Sequence, residues 1–170
     1  MGEARWEIEA PDPEATRSIG AAIGGTAPEG AVLLLEGPLG AGKTTFAQGV
    51  GSGCGVSEPV ASPTYNLILH YRGERPFTHV DLYRLEDAAG LETLDLDEIL
   101  AAEGVTCVEW PELLRSSVGE PRAEIRFGFA DEDDPEGPRR IEGTLHGGGW
   151  GESLASLRGL GARIEGEASG

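Results

Sequence analysis

The sequence predicts an α/β protein: a three-layer sandwich with a central, mostly parallel sheet plus antiparallel strands. Three observations predict it. Gly37-Pro-Leu-Gly-Ala-Gly42-Lys43-Thr44 is a complete G-x-x-x-x-G-K-[ST] phosphate loop. Ala31-Val-Leu-Leu-Leu-Glu36, bounded by Gly30 and Gly37, is the short apolar run of a buried parallel strand. Thr44 to Val50 starts a helix directly after the loop, which gives the strand, loop, helix order that the motif requires. The arrangement is P-loop NTPase-like.

The remaining elements follow in order. Arg5-Trp-Glu-Ile-Glu9 alternates and reads as an edge strand. Asp12 is a helix cap, Pro13 suits the first helical position and Glu14 the first turn, so a helix runs from there to about Thr26. The helix after the phosphate loop ends in the Gly-rich turn Gly51 to Gly55. Ala61 to Tyr65 is a loop carrying Ser62, the rigid Pro63 and Thr64. Asn66 to Tyr71 and Pro76 to Asp81 flank a Gly-containing turn and read as a hairpin. Helical pieces fill 86–104, notably Asp95 to Glu103. Val105-Thr-Cys-Val-Glu109 is a second buried strand ending in a carboxylate, and Trp110 and Pro111 open a short helix. Ala123 to Phe129 and Arg139 to Leu145 alternate and pair as antiparallel strands around the acidic loop 131–137. Residues 1–146 read as one domain. Residues 147–170 read as a Gly-rich tail with a short helix over Ser153 to Leu160, frayed from Gly161.

Lys43 is the only lysine; twelve arginines carry the other positive charge. A Gly-rich turn can aim consecutive backbone N–H groups at phosphate oxygens because no Cβ blocks the approach. Lysine adds a compact charge on a long stem, and the Thr44 hydroxyl is a magnesium ligand in such loops. The motif also needs an acidic partner at the end of a neighbouring strand. Asp81 and Glu109 are both placed for this, at the carboxyl edge of the sheet where open α/β sheets bind ligands. His79 shares a strand face with Asp81 and is a candidate to orient a carboxylate or act on water. Arg84 either touches phosphate or pairs with a local carboxylate. Thr64 lies in a loop able to fold over a γ phosphate. Trp110 is a candidate to stack on a base or cover the site.

The net charge of −17 leaves no cation-rich face to displace counterions from nucleic acid. Direct strong nucleic-acid binding is therefore not expected, and basic partners are. There is no run of 18 apolar residues, so no membrane span is expected, and the N-terminus has no apolar signal region. Cys54 and Cys107 have neither metal spacing nor a disulfide framework and suit a reducing, cytoplasmic location.

Four motifs occur in series: Gly37 to Phe46, Ser62-Pro-Thr-Tyr65, His79-Val-Asp-Leu-Tyr-Arg-Leu85 and Val108-Glu-Trp-Pro111. Over roughly residues 5 to 130 the sequence strongly resembles the TsaE (YjeE) family, the bacterial ATPases of tRNA threonylcarbamoyladenosine (t6A) biosynthesis. Pro11-Asp12, Ala15-Thr16 and Gly20 resemble that family's N-terminal pattern. The resemblance implies a small P-loop protein that binds ATP and Mg²⁺ and hydrolyses ATP weakly alone. It implies activity in a complex with TsaD and TsaB, which transfer threonylcarbamoyl to adenosine 37 of tRNA. It implies nucleotide contacts from Pro11, Gly37, Leu39, Gly40, Ala41, Gly42, Lys43, Thr44, Thr45 and Trp110. Metal contacts fall to Thr44, Asp81 and Glu109, and catalytic roles to Lys43, Thr64, Asp81 and Glu109. The competing expectation is a small-molecule P-loop kinase, which closes an arginine-rich lid over the transferring phosphate. The stretch in the lid position, 115–140, carries Asp131-Glu-Asp-Asp134 instead. A nucleotide-dependent switch, in which binding matters more than turnover, overlaps the family reading.

Overall fold

A computed structural model describes residues 3–63, 67–85, 90 and 95–166. The strands are β1 Ala4–Ala10, β2 Ala31–Glu36, β3 Ile68–Tyr71, β4 Phe77–Asp81, β5 Val105–Glu109, β6 Arg122–Phe129, β7 Arg139–His146 and β8 Arg163–Glu165. The helices are α1 Pro13–Gly24, α2 Lys43–Gly53, α3 Leu96–Leu100 and α4 Gly151–Gly159. One eight-stranded sheet runs in the order β3-β4-β5-β2-β6-β7-β1-β8. The β4-β5, β5-β2 and β2-β6 pairs are parallel. The β3-β4, β6-β7, β7-β1 and β1-β8 pairs are antiparallel. The α/β class and the parallel centre are as expected. Counted over the whole sheet, antiparallel pairs are the majority, because hairpins flank the centre on both sides.

Burial follows from position in the sheet. Every residue of β5, and all of β2 except Glu36, is buried, since both faces of the centre are covered. On one face α1, α2 and α4 pack over Leu33, Leu35, Ile125, Ile141 and Trp150. On the other, Ile99 of α3 with Leu114 and Val118 covers Val32, Leu34, Val80 and Val108. These are the three layers. In β6, Ala123, Ile125 and Phe127 face the core while Arg126 stays exposed, the alternation of a sheet with one face in water.

The first helix begins as its chemistry dictates. The Asp12 side chain accepts from the Ala15 N–H at 2.8 Å, and Pro13 takes the first helical position. Gly20 and Gly24 of α1 and Gly49 and Gly53 of α2 let the two backbones touch. A Cβ at Gly24 would lie 2.2 Å from the Val50 carbonyl oxygen, and one at Gly49 2.2 Å from that of Arg17. Close approach of this kind is what four-residue spacing of small residues on two helices permits. It fixes the height of α2, and so of Lys43, above the sheet.

Two expectations are corrected. The strand at Arg5 to Glu9 is not an edge: β1 lies between β7 and β8. The fraying expected beyond Gly161 does not reach Arg163–Glu165, which pairs with β1. The expected short helix of the tail is present as α4, and Trp150, Leu154 and Leu157 are buried in the main core. The Gly-rich composition there hid three apolar anchors. Cys54 and Cys107 are buried free thiols, and burial pushes the Cys54 thiol up to about 11. Among the described residues, no helix is long and apolar enough to cross a membrane.

Candidate functional site

The phosphate loop joins β2 to α2. Gly37, Gly40 and Gly42 all have positive φ; at Gly42 φ is 106°, and no side chain caps the helix that follows. A Cβ at Gly37 would meet the Phe127 carbonyl oxygen at 2.5 Å, so the loop lies hard against the end of β6. The uncapped N-terminus of α2 thus presents its amide groups and positive dipole end to the loop. A cleft of about 350 Å³ opens over it, the size of a small-ligand site. Gly40, Gly42, Thr44 and Thr45 form its floor, and Ser62, Pro63, Asp81, Arg84, Glu109 and Trp110 its walls.

Lys43 is only 4% exposed. Its Nζ donates to the Gly37 carbonyl at 2.5 Å and sits 3.3 Å from the centroid of the Trp110 ring. Burial lowers its ammonium pKa from the ordinary value, with the charges of Glu109, Asp81 and Glu112 opposing. Trp110 holds its ring there from a left-handed backbone, φ 57°, and packs on exposed Tyr83 at 4.9 Å between centroids.

The two strand-end carboxylates are neighbours, because β4 and β5 pair Asp81 with Glu109 in register. Their surroundings differ. Glu109 is 3% exposed, and the Thr44 hydroxyl donates to its Oε1 at 2.9 Å, with Oε2 3.2 Å away. His79 Nε2 is 2.6 Å from Oε2. Asp81 Oδ1 instead accepts from the Tyr83 N–H at 2.9 Å. Burial raises the Asp81 pKa; the Tyr83 N–H bond lowers it, Glu109 raises it, and His79 and Lys43 lower it. The carboxylate in contact with the loop threonine is therefore Glu109. Hard oxygen donors of this kind, a hydroxyl and a carboxylate side by side, fit Mg²⁺ completed by ligand phosphates.

The other expected residues are placed as follows. Thr45 borders the main cleft and also a second one of about 250 Å³, lined by Asp12, Pro13, Thr16, Gly40 and Arg139. Pro11 is exposed and immediately precedes the residues lining that second cleft. Ala41 is buried in the core, and its N–H donates to the Pro38 carbonyl. Leu39 is 72% exposed at the cleft mouth. Thr64 lies outside the described residues. Arg84 lines the main cleft; Glu86 and Asp87, acidic residues close to it in sequence, lie outside the described residues. Sequence reasoning missed Arg139. Its Nη2 donates to the Gly40 carbonyl at 3.3 Å and its guanidinium sits 4.6 Å from the Phe129 ring. The hairpin register, which pairs Phe129 with Arg139, was the signal available.

Known proteins similar to this chain share one family. A family profile described as threonylcarbamoyl adenosine biosynthesis protein TsaE matches residues 10–141. The tRNA threonylcarbamoyladenosine biosynthesis protein TsaE of Bacillus subtilis is 39% identical over 137 residues, 80% of this chain and 84% of that one. The protein of the same name from Synechocystis is 40% identical over 119 residues, covering 67% of this chain and 75% of its own. The crystal structure of Bacillus subtilis YdiB superposes with a TM-score of 0.70 at 30% identity, over 92% of this chain and 93% of that one. Phosphate loop, strand-end carboxylate and matched length together lead to one statement: the chain belongs to the TsaE family.

Proposed function

We propose that this protein binds ATP with Mg²⁺ and hydrolyses it slowly by itself. We propose further that the cycle serves threonylcarbamoyl modification of adenosine 37 in tRNA, together with TsaD and TsaB homologues. The observation that carries the reading is the Thr44 hydroxyl bound to buried Glu109 at the foot of a complete phosphate loop.

Each side chain has a derivable task. The loop amides and Lys43 take the phosphate oxygens. Lys43 leaves the Gly37 carbonyl and the Trp110 ring for them, exchanging a neutral oxygen and a ring face for full negative charge. Thr44 and Glu109 would hold the cation, which supplies charge neutralisation at the β and γ oxygens when bound. Arg84, which lines the same cleft, is a second positive charge for the phosphate chain. The two clefts share Gly40, Gly42 and Thr45, so an extended nucleotide laid along the loop reaches both. Phosphates then lie on the Glu109 side and the nucleoside on the side of Thr16 and Arg139. The kinase alternative loses ground, because much of the lid-position stretch 115–140 is built into the sheet as β6 and the start of β7. A protein of net charge −17 acts through a protein partner with a basic face more readily than through RNA phosphates.

Calorimetry with ATP and Mg²⁺, followed by a t6A-forming assay with TsaD and TsaB homologues, tests the reading. Binding of Mg·ATP and multiple-turnover t6A formation that depends on this protein are expected. No heat from Mg·ATP, with or without the partners, refutes it. Transfer of the γ phosphate to a metabolite rather than to water replaces it with the kinase.

A further inference from the structure

We propose that His79 is a positioning residue for the ATPase reaction: its imidazole locks the Glu109 carboxylate against Thr44 and ties that carboxylate to the Ala61 backbone carbonyl. The proposal rests on reading the cleft as a Mg·ATP site and names a residue that the reading does not use.

The ring has no exposed surface and each of its nitrogens has one partner. Nε2 lies 2.6 Å from Glu109 Oε2, and Nδ1 donates to the Ala61 carbonyl at 3.2 Å. The Phe77 ring stacks along the same strand face, 6.2 Å between centroids at 29°. The imidazole therefore cannot turn without breaking both bonds, and it holds Glu109 in one rotamer. Oε2 meets His79 at 2.6 Å, and the Thr44 hydroxyl reaches Oε1 at 2.9 Å and Oε2 at 3.2 Å. A carboxylate 3% exposed has little water to replace either partner, so losing the imidazole frees it to swing or to bind another donor. The second tie runs outward. Ala61 precedes Ser62 and Pro63, which line the cleft wall opposite the phosphate loop. Along the chain His79 lies two residues from Asp81, and its role was open between orienting a carboxylate, acting on water and a structural histidine. The geometry assigns it to Glu109, on the adjacent strand.

A buried histidine that merely satisfies the core would change stability and nothing else. The test separates the two roles on the full-length protein with His79→Gln, His79→Asn and His79→Leu. The readouts are thermal unfolding, metal-free ADP affinity by calorimetry, and Mn²⁺ affinity of the ADP complex by electron paramagnetic resonance. The Mg²⁺ dependence of kcat is the fourth. Metal-free ADP affinity should stay within about threefold of the parent. His79→Leu should weaken Mn²⁺ binding about 10–100-fold, the usual effect of removing the partner that orients a metal ligand. Gln places its amide N–H where Nε2 stood and should recover most of that loss; Asn reproduces only the donor facing Ala61 and should not. Unchanged Mn²⁺ affinity in His79→Leu, or equal affinities in the Gln and Asn variants, overturns the proposal. Should His79→Leu not fold, the comparison of Gln with Asn decides alone. A parent protein that binds no nucleotide is a different failure, that of the Mg·ATP reading itself.

Discussion

Replacing Gly24 with Ala adds one carbon where two helices touch. Its Cβ would sit 2.2 Å from the Val50 carbonyl oxygen and 2.9 Å from Val50 C and Cα. Ordinary contact begins at 3.4 Å, so the position is short by about 1.2 Å and the obstacle is backbone, which no rotamer change relieves. The helices must part along their whole contact. Overpacking of this sort costs about 1–3 kcal/mol, with the rigid obstacle favouring the upper half. Better helix propensity of alanine returns up to about 1 kcal/mol. The net loss is about 1–2 kcal/mol, or about 2–8 °C in Tm for a chain of this size. Because α2 begins at Lys43, the shift also reaches the phosphate loop, where a ~1 Å misplacement can cost about a hundredfold in rate. Gly25→Ala is the control. There a Cβ meets its nearest atoms at 3.4 and 3.5 Å, and φ is −79°. Thermal unfolding by circular dichroism, with ATP turnover on the same samples, reads both. A Gly24→Ala protein that melts with or above the parent and turns over normally refutes the claim that backbone contact sets the height of α2.

Three other outcomes are expected. Thr44→Val keeps the shape but removes the donor to Glu109, a hydrogen bond to a charged group worth about 1.5–3 kcal/mol; a lower Tm and weaker Mg·ATP binding are expected, and unchanged binding would detach Thr44 from the metal. Asp81→Asn should raise Tm at pH 7. Burial raises the Asp81 pKa above its unfolded value, so the folded state holds the proton more tightly and stability falls as pH climbs through that window; the gain from Asn should vanish below about pH 4, where both states are protonated. Trp150→Ala should cost about 3–5 kcal/mol, since its side chain is wholly buried and its indole N–H donates to the His146 carbonyl at 3.1 Å; a melt within 1 °C of the parent would show residues 147–166 to be dispensable.

What the sequence revealed was local. The phosphate loop is a spacing of eight residues, and β2 and β5 announce themselves as unbroken apolar runs. The cap at Asp12 and Pro13 needed only four residues to be legible. Facts that depend on register were not. Asp81 and Glu109 look equivalent along the chain, and only the side-by-side pairing of β4 and β5 shows which one Thr44 reaches. Arg139 is 99 residues from the carbonyl it holds. In β8 only three residues pair, too few for any periodicity to appear. The crossing of α1 on α2 was not read from the chain either, although the four-residue spacings of Gly20 with Gly24 and Gly49 with Gly53 carry it.

Strand β1 pairs only with β7 and β8. During translation it emerges before β7 and must wait until Arg139 has been added, about 6–27 seconds at common ribosome speeds. By the time Glu109 appears, α1, α2, α3 and strands β2 to β4 are already made. The phosphate loop and Glu109 are thus made while Trp6 and Ile8 still lack the strands on either side. A later stretch of polypeptide is what fastens an earlier one.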